Sequence, residues 1–140
     1  MNEKELLEKA LAAAKRAYSP YSNFCVGAAL LTVGGEIYTG CNIENASYPA
    51  TICAERCAIS TAVAVGEREF RAIAIVGGAA DDIAAGNVRG ECPPCGICRQ
   101  VMAEFCSPDF KIILGAPDKY NVYTLGELLP HGFGKDDLES

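Results

Sequence analysis

The sequence predicts an α/β fold, a three-layer α/β/α arrangement around a central mixed five-stranded sheet. Apolar runs of strand length alternate with helical segments along the 140 residues, which is typical of this class. The first two apolar runs are joined by Gly34-Gly35, a hairpin signal, which makes the sheet mixed rather than parallel. The run RAIAIVG over 71–77 is apolar on both faces, so we expect it at the centre of the sheet.

The remaining elements follow from the hydrophobic pattern. Residues 1–18 carry apolar side chains at helical spacing and predict an amphipathic first helix. We expect the whole chain, residues 1–140, to form a single domain without repeats or linkers. The other predicted elements are strands at 24–33 and 36–42, an irregular stretch at 43–51, a helix from 52 to about 66, a loop at 78–93, a helix from 94 to about 105, strands at 110–115 and near 121–124, a helical turn near 126–129 and a tail containing His131.

Composition excludes several classes of function. The formal net charge of −6 and the sequence pI near 4.8 disfavour a nucleic-acid partner, because such binders need clustered Lys and Arg. The charged N-terminal stretch does not resemble a signal peptide, and no apolar run reaches membrane-spanning length, so we expect no membrane partner. A cytoplasmic location is expected, where thiols stay reduced, and eight cysteines there indicate metal binding or chemistry. A small, roughly neutral substrate fits this composition.

Three cysteines stand at predicted helix starts. If Pro94 is the first residue of its helix, Cys95 lies in the first turn and Cys98 one turn later on the same face. Cys53 lies in the first turn of its helix if Thr51 is the N-cap. Helix N-termini stabilise thiolates, which are the metal-binding form. The sequence therefore predicts one metal site formed by Cys53, Cys95 and Cys98.

Three protein ligands leave one position of a tetrahedral zinc open, which is typical of a catalytic site. Zinc lowers the pKa of a bound water from 15.7 to about 7. Glu55, two residues after a ligand, is predicted as the proton shuttle and not as a ligand. Three thiolates also leave excess negative charge, so Arg56 is predicted to donate to a cysteine sulfur.

Alternatives to this site remain open. A lone C-x-x-C is often a redox pair or half of a structural zinc site. Cys92 forms a second, overlapping C-x-x-C with Cys95, and a four-cysteine site that included it would close the metal. The two intervening prolines keep Cys92 outside the helix, which favours Cys95 and Cys98 as ligands. The other four cysteines are predicted to be small buried hydrophobic residues: Cys25, Cys41, Cys57 and Cys106. Cys57 follows Cys53 by one helical turn, so its thiol could lie near the metal, but packing is the favoured role.

The sequence resembles the small, homotetrameric class of cytidine deaminases along nearly its whole length. The resemblance is carried by SPYSNFCVGAAL (19–30), GCNIENASYPATICAERCAI (40–59), PPCGICRQVMAEF (93–105) and TLGELLPHGF (124–133), in the family's order. A ligand, a Glu two residues later and a P-C-x-x-C together form the zinc-deaminase signature, with three cysteines permitted. The resemblance implies one zinc ion per subunit and hydrolytic deamination of cytidine and 2′-deoxycytidine in pyrimidine salvage. In that reaction hydroxide attacks C4 and Glu55 protonates N3.

The resemblance also implies substrate contacts. Asn42 and Glu44 match the pair that holds the ribose 3′-hydroxyl, and Phe24 matches the aromatic residue that packs on the pyrimidine. The backbone N–H of Ala54 matches the donor to the pyrimidine carbonyl. Two further residues match positions at subunit contacts, with active sites shared between the four subunits: Tyr48 at the junction and Phe133 reaching into a neighbouring site.

Three rival functions remain. A deaminase of the same fold with another substrate, such as blasticidin S, is disfavoured by the ribose-matching segment NIENASY over 42–48. A non-catalytic zinc module has no need of Glu55. A thiol redox protein using Cys92, Cys95 and Cys98 would not retain stoichiometric zinc under reducing conditions. The loop between Gly77 and Pro93 is longer than expected for the resembled class, and Cys92 is unusual there.

Overall fold

The computed structural model describes residues 2–139 and contains a mixed five-stranded sheet. The strand order is β2-β1-β3-β4-β5, in which β3 and β4 are parallel and the other neighbouring pairs are antiparallel. The predicted α/β class and mixed sheet are confirmed, and β3 is the central strand. The strands are β1 Phe24–Thr32, β2 Ile37–Cys41, β3 Phe70–Ala79, β4 Lys111–Ala116 and β5 Lys119–Thr124.

Helices cover both faces of the sheet, and each face has its own buried core. Because neighbouring side chains of a strand point to opposite faces, Ile75 packs in one core with Ala58 and Met102, while Val76 packs in the other with Leu7. The α2 and α4 helices therefore cover one face and α1 the other. The helices are α1 Glu3–Ala14, α2 Ala54–Ala64, α3 Ala80–Ala84, α4 Gly96–Phe105, α5 Leu125–Leu128 and α6 Lys135–Glu139, with a 3-10 turn at Tyr48–Ala50.

The first helix is shorter than the predicted span of 1–18. Its N-cap is Asn2, whose side-chain oxygen accepts from the backbone N–H of Glu5 at 2.8 Å. Beyond Ala14 the backbone changes to tighter turns, in which the N–H of Ala17 donates to the carbonyl of Ala14. Met1, the first residue of the predicted helix, lies outside the described residues. No helix within residues 2–139 has the length and apolar character needed to cross a membrane.

The prediction of a loop over 78–93 was wrong for its first part. Strand β3 continues to Ala79 because Gly78 still pairs with Cys25 of β1. The short helix α3 follows at once, since Ile83 is buried against the α1 face of the sheet with 1% of its surface exposed. The tail beyond His131 was also predicted without structure, whereas α6 forms there with acidic residues in its first turn.

Gly40 fixes the distance between α2 and the edge strand β2. A Cβ atom at this position would lie 2.6 Å from the carbonyl oxygen of Ala54 and 2.9 Å from Cβ of Cys57. No real Cβ tolerates these distances, so the helix packs directly on the strand backbone. This contact places the N-terminus of α2 near the start of β1, where the predicted site residues lie.

Candidate active site

Two predicted metal ligands are helix N-caps. Cys53 caps α2 and its carbonyl accepts from Cys57 N–H, while Cys95 caps α4 and its carbonyl accepts from Arg99 N–H, both at 3.0 Å. The prediction that these cysteines lie inside the first turn was therefore wrong, because each helix begins two residues later than predicted. An N-cap has extended backbone angles but already accepts the first helical hydrogen bond, and both residues meet that description.

The two residues predicted to begin these helices lie before them. Thr51 is not the N-cap of α2, because that position belongs to Cys53. The Thr51 hydroxyl instead accepts from Asn45 N–H at 3.2 Å, a bond within the irregular segment. Pro94 precedes the helix as well, and α4 begins at Gly96. The result is that Cys53 and Cys95 approach each other from two loops that end in helix N-termini.

The three predicted thiols form one cluster. The sulfurs of Cys53 and Cys95 are 3.8 Å apart, those of Cys95 and Cys98 are 3.5 Å apart, and all three lie within 4.8 Å of one another. A tetrahedral zinc ion about 2.3 Å from each sulfur requires sulfurs about 3.8 Å apart. The donor set and the spacing therefore fit a zinc ion with its fourth position free.

The pKa values of the Cys53 and Cys98 thiols are shifted in opposite directions. Hydrogen bonding from Cys98, aided by Arg56 and Cys95, lowers the pKa of Cys53 to about 5, although burial raises it. The same bond with Cys53 raises the pKa of Cys98, and burial adds to that effect. The neighbours of Cys53 thus favour its thiolate, which is the form that binds a metal ion.

Arg56 lies beside the cluster, in the first turn of α2. Its Nη2 atom donates to the sulfur of Cys53 at 3.3 Å, and its bonds with Cys53 and Cys98 raise the pKa of the guanidinium. Its Nε is buried and has no hydrogen-bond partner among the described residues. Sequence reasoning placed Arg56 next to a ligand sulfur, and the structure has this contact.

Glu55 is buried, with 4% of its surface exposed, although it is charged in its ordinary state. Burial, with a smaller contribution from the charge of Cys53, raises the pKa of this carboxyl to about 7, although the positive charge of Arg56 acts in the opposite direction. Few carboxyl groups are buried to this degree, and groups with such shifted pKa values concentrate at functional sites. The side chain lines the same cavity as Cys53 and Cys95.

The cavity has a volume of about 210 Å³ and is lined from two sides. Ala54 and Glu55 line one side, at the N-terminus of α2, which packs on Gly40 of β2. Cys92 lines the other side, packed on Gly77 of β3, and β1 lies between β2 and β3. Four lining residues were not singled out from the sequence, because apolar and turn residues carry no chemical signature: Val26, Thr51, Ile52 and Pro93.

Asn42 and Glu44 lie in adjoining cavities that share Thr51 as a wall. The Asn42 side chain accepts from Val26 N–H at 2.8 Å and donates to the Phe24 carbonyl at 2.9 Å, so it bridges β1 beyond the end of β2. Glu44 lies in a more open cavity of about 390 Å³.

Hydrogen bonds from Ser22 and Tyr21 hold the Glu44 carboxylate. It accepts from the backbone N–H of Tyr21 at 2.9 Å and of Ser22 at 3.1 Å, and from the Ser22 hydroxyl. These bonds, chiefly the hydroxyl, lower the pKa of the carboxyl, so it is held as an anion. Sequence reasoning missed Ser22, although its place in the SPYSNF block was a usable signal.

The predicted aromatic contacts do not meet at one point within this chain. Phe24 begins β1 with 43% of its surface exposed, and its ring edge lies near Gly77 beside the cavity. Tyr48 is 72% exposed and packs edge-on against Tyr21, with ring centroids 6.0 Å apart. Phe133 is 58% exposed and lines a different cavity, next to α4 and α5.

The remaining cysteines lie outside the thiol cluster. Cys57 points toward Gly40 of β2, and Cys25 is buried on the α1 face. Cys92 lines the cavity, but the group of residues able to hold a metal contains only Cys53, Cys95 and Cys98 among those described.

Comparison with known proteins places the chain in a family. Residues 1–114 match the family model for the cytidine and deoxycytidylate deaminase zinc-binding region. The cytidine deaminase of Halalkalibacterium halodurans is 44% identical over 139 residues, covering 99% of this chain and 98% of that protein, and that of Sporosarcina psychrophila is 43% identical, covering 99% and 96%. The crystal structure of cytidine deaminase from Burkholderia pseudomallei superposes with a TM-score of 0.84 at 46% identity, covering 95% of this chain and all of that one. The chain belongs to the zinc-binding cytidine and deoxycytidylate deaminase family.

Proposed function

We propose that the protein hydrolyses cytidine and 2′-deoxycytidine to uridine and 2′-deoxyuridine with release of ammonia, a step of pyrimidine salvage. The observation that carries the proposal is the buried carboxyl of Glu55 in a cavity that Cys53 and Cys95 also line, with the thiol of Cys98 clustered beside theirs. A structural zinc site gains nothing from a buried carboxyl next to its ligands, whereas hydrolysis needs a proton carrier there.

Cys53, Cys95 and Cys98 hold the zinc ion, and Arg56 offsets part of their negative charge. When bound, zinc supplies an acidified water as the nucleophile at neutral pH. Glu55 receives the proton of that water and delivers it to N3 of the cytosine ring. It then takes up the second proton of that water, from the oxygen now bonded to C4, and transfers it to the departing amine, so that the C4 carbonyl forms and ammonia leaves. Its burial next to the thiols keeps bulk water away from these transfers.

The substrate contacts follow from the cavity walls. The backbone N–H of Ala54, the first helical residue of α2, has no helical acceptor and is available to the pyrimidine C2 carbonyl. Phe24 packs on the base, while Asn42 and Glu44 hold the ribose hydroxyl. Glu44 is suited to this role because its ionised carboxylate is already held in place by Ser22 and Tyr21.

We further propose a homotetramer with active sites shared between subunits, in which Tyr48 and Phe133 act across subunit contacts. Their exposure in the single chain supports this, because both rings are accessible to a neighbouring subunit. Mixing Glu55→Gln and Phe133→Ala subunits provides the test. If sites are shared, the mixture recovers activity that neither variant has alone. A fully active, demonstrated monomer after dilution would contradict the proposal.

Two broader proposals concern the chain as a whole. We propose that residues 1–140 form one deaminase domain, since helices on both faces pack on the same sheet. We also propose a cytoplasmic location, which the eight free thiols support because an oxidising compartment would favour disulfides.

One experiment tests the proposed function directly. Purified protein is incubated with cytidine and with 2′-deoxycytidine, and the ultraviolet absorbance change on deamination is followed with and without a metal chelator. We expect turnover of both nucleosides that the chelator abolishes and added zinc restores. No absorbance change with either nucleoside, in protein that contains stoichiometric zinc, would overturn the proposal and favour a non-catalytic zinc module.

A further inference from the structure

Cys92 occupies space created by a missing side chain on the central strand. A Cβ atom at Gly77 of β3 would lie 2.7 Å from the sulfur and 2.8 Å from Cβ of Cys92, and 3.3 Å from the ring of Phe24. The Cys92 side chain therefore rests on the backbone of β3, close to Phe24. It packs against the apolar core of the α2 and α4 face while lining the cavity.

The segment that carries Cys92 is tied to the edge strand β5. The carboxylate of the preceding residue, Glu91, accepts from Nδ2 of Asn121 at 2.6 Å and from the hydroxyl of Tyr123 at 2.9 Å. The segment at Cys92 is therefore held by two sets of contacts, the packing of Cys92 on Gly77 and the hydrogen bonds of Glu91 with β5. A fixed wall discriminates between ligands by size better than a mobile one, because relieving a clash would require these contacts to break.

The orientation of the base in the proposed reaction identifies what this wall faces. N3 is directed at Glu55 and the C2 carbonyl at the N–H of Ala54, and both groups belong to the α2 wall. In a pyrimidine ring the C5–C6 edge lies opposite the C2–N3 edge. The C5–C6 edge is consequently turned away from α2, which packs on β2, and toward the side of the cavity over β3, where Cys92 lies.

We propose that Cys92 is a specificity-determining residue, whose side chain, seated on Gly77, closes the cavity against substituents at C5 of the pyrimidine. The proposal rests on the proposed function for the orientation of the base. It assigns to Cys92 a role in size selection and not in metal binding or proton transfer. The substrate class it selects is the 5-unsubstituted cytidine nucleosides over those with a methyl or larger group at C5.

The test compares cytidine with 5-methylcytidine in the zinc-loaded enzyme. In Cys92→Ala the ratio of kcat/KM for 5-methylcytidine to that for cytidine should rise about tenfold, the lower end of what one methyl group is worth in an apolar pocket. Cys92→Val, which enlarges the wall, should lower the ratio. The dissociation constants of the products uridine and 5-methyluridine should change in the same directions, which gives a readout independent of turnover.

Two controls separate size from other effects. Cys92→Ser keeps the side-chain size and should leave the ratio unchanged. Cys25→Ala removes a buried thiol from the opposite face of the sheet and should also leave it unchanged. The proposal is overturned if Cys92→Ala and Cys92→Val, both folded and zinc-loaded, keep the wild-type ratio. Failure of the proposed function is a different result, namely a wild-type protein that deaminates neither nucleoside.

Discussion

Replacing Arg56 by alanine should weaken zinc binding by about tenfold. The guanidinium donates to the sulfur of Cys53 at 3.3 Å, and a hydrogen bond to a charged group contributes about 1.5–3 kcal/mol. About 1.4 kcal/mol corresponds to a tenfold change in Kd, so this bond alone predicts about 10- to 100-fold. We expect the low end, because the substitution also removes the buried Nε, which has no partner among the described residues.

Competition with a chromophoric chelator measures this affinity in purified protein. Arg68→Ala is a matched control: Arg68 is exposed beyond the other end of α2 and donates to the carbonyls of Val63 and Glu67, far from the thiols. Its zinc affinity should equal that of the wild type. An Arg56→Ala protein that retains wild-type zinc affinity and wild-type turnover would refute the reasoning that Arg56 offsets the charge of the thiolates.

Three further predictions follow from other contacts. Glu55→Gln should keep its zinc, because residue 55 is not a ligand, and should lose about 10²–10⁴-fold in kcat; near-normal turnover in zinc-loaded protein would remove Glu55 from the mechanism. Gly40→Ala should lower the free energy of unfolding, measured in urea, by about 1–3 kcal/mol, because the new Cβ overlaps the backbone of α2. Gly90→Ala is the control and should not show this loss, because a Cβ at this exposed position would meet nothing within 4 Å. Glu91→Gln should lower the pKa of Tyr123 in an ultraviolet phenol titration, because the hydrogen bond to a carboxylate favours the neutral phenol; an unchanged titration curve would count against the tie between Glu91 and β5.

The thiol cluster could be predicted from sequence because its spacing is local. Cys95 and Cys98 are three residues apart, so any helix that begins near them brings both sulfurs to one face. The start of each helix could not be fixed to the residue, since Thr51 and Pro94 are as acceptable at a helix start as the cysteines that follow them. Only the hydrogen bonds from Cys57 and Arg99 identify Cys53 and Cys95 as the caps.

Several features that the sequence did not predict depend on contacts between distant segments. Cys92 packs on Gly77, and Glu91 accepts hydrogen bonds from two residues of β5. These pairs are 15 to 32 positions apart in the sequence, and no periodic pattern encodes contacts at such distances. The length of β3 was underestimated for the same reason, because Gly78 has weak strand propensity and is held in the sheet by its pairing with Cys25.

The N-cap position of the ligands has a consequence for how zinc binding and folding are linked. Cys53 and Cys95 each end a loop and begin a helix, so an ion that joins their sulfurs also joins the N-termini of α2 and α4. Apart from this junction, α2 and α4 meet through the apolar core of one face. A bound ion would replace the repulsion between neighbouring thiolates with their attraction to a shared cation. Because the metal ion is expected to bind only the native state, the free energy of zinc binding stabilises the fold as well as the site.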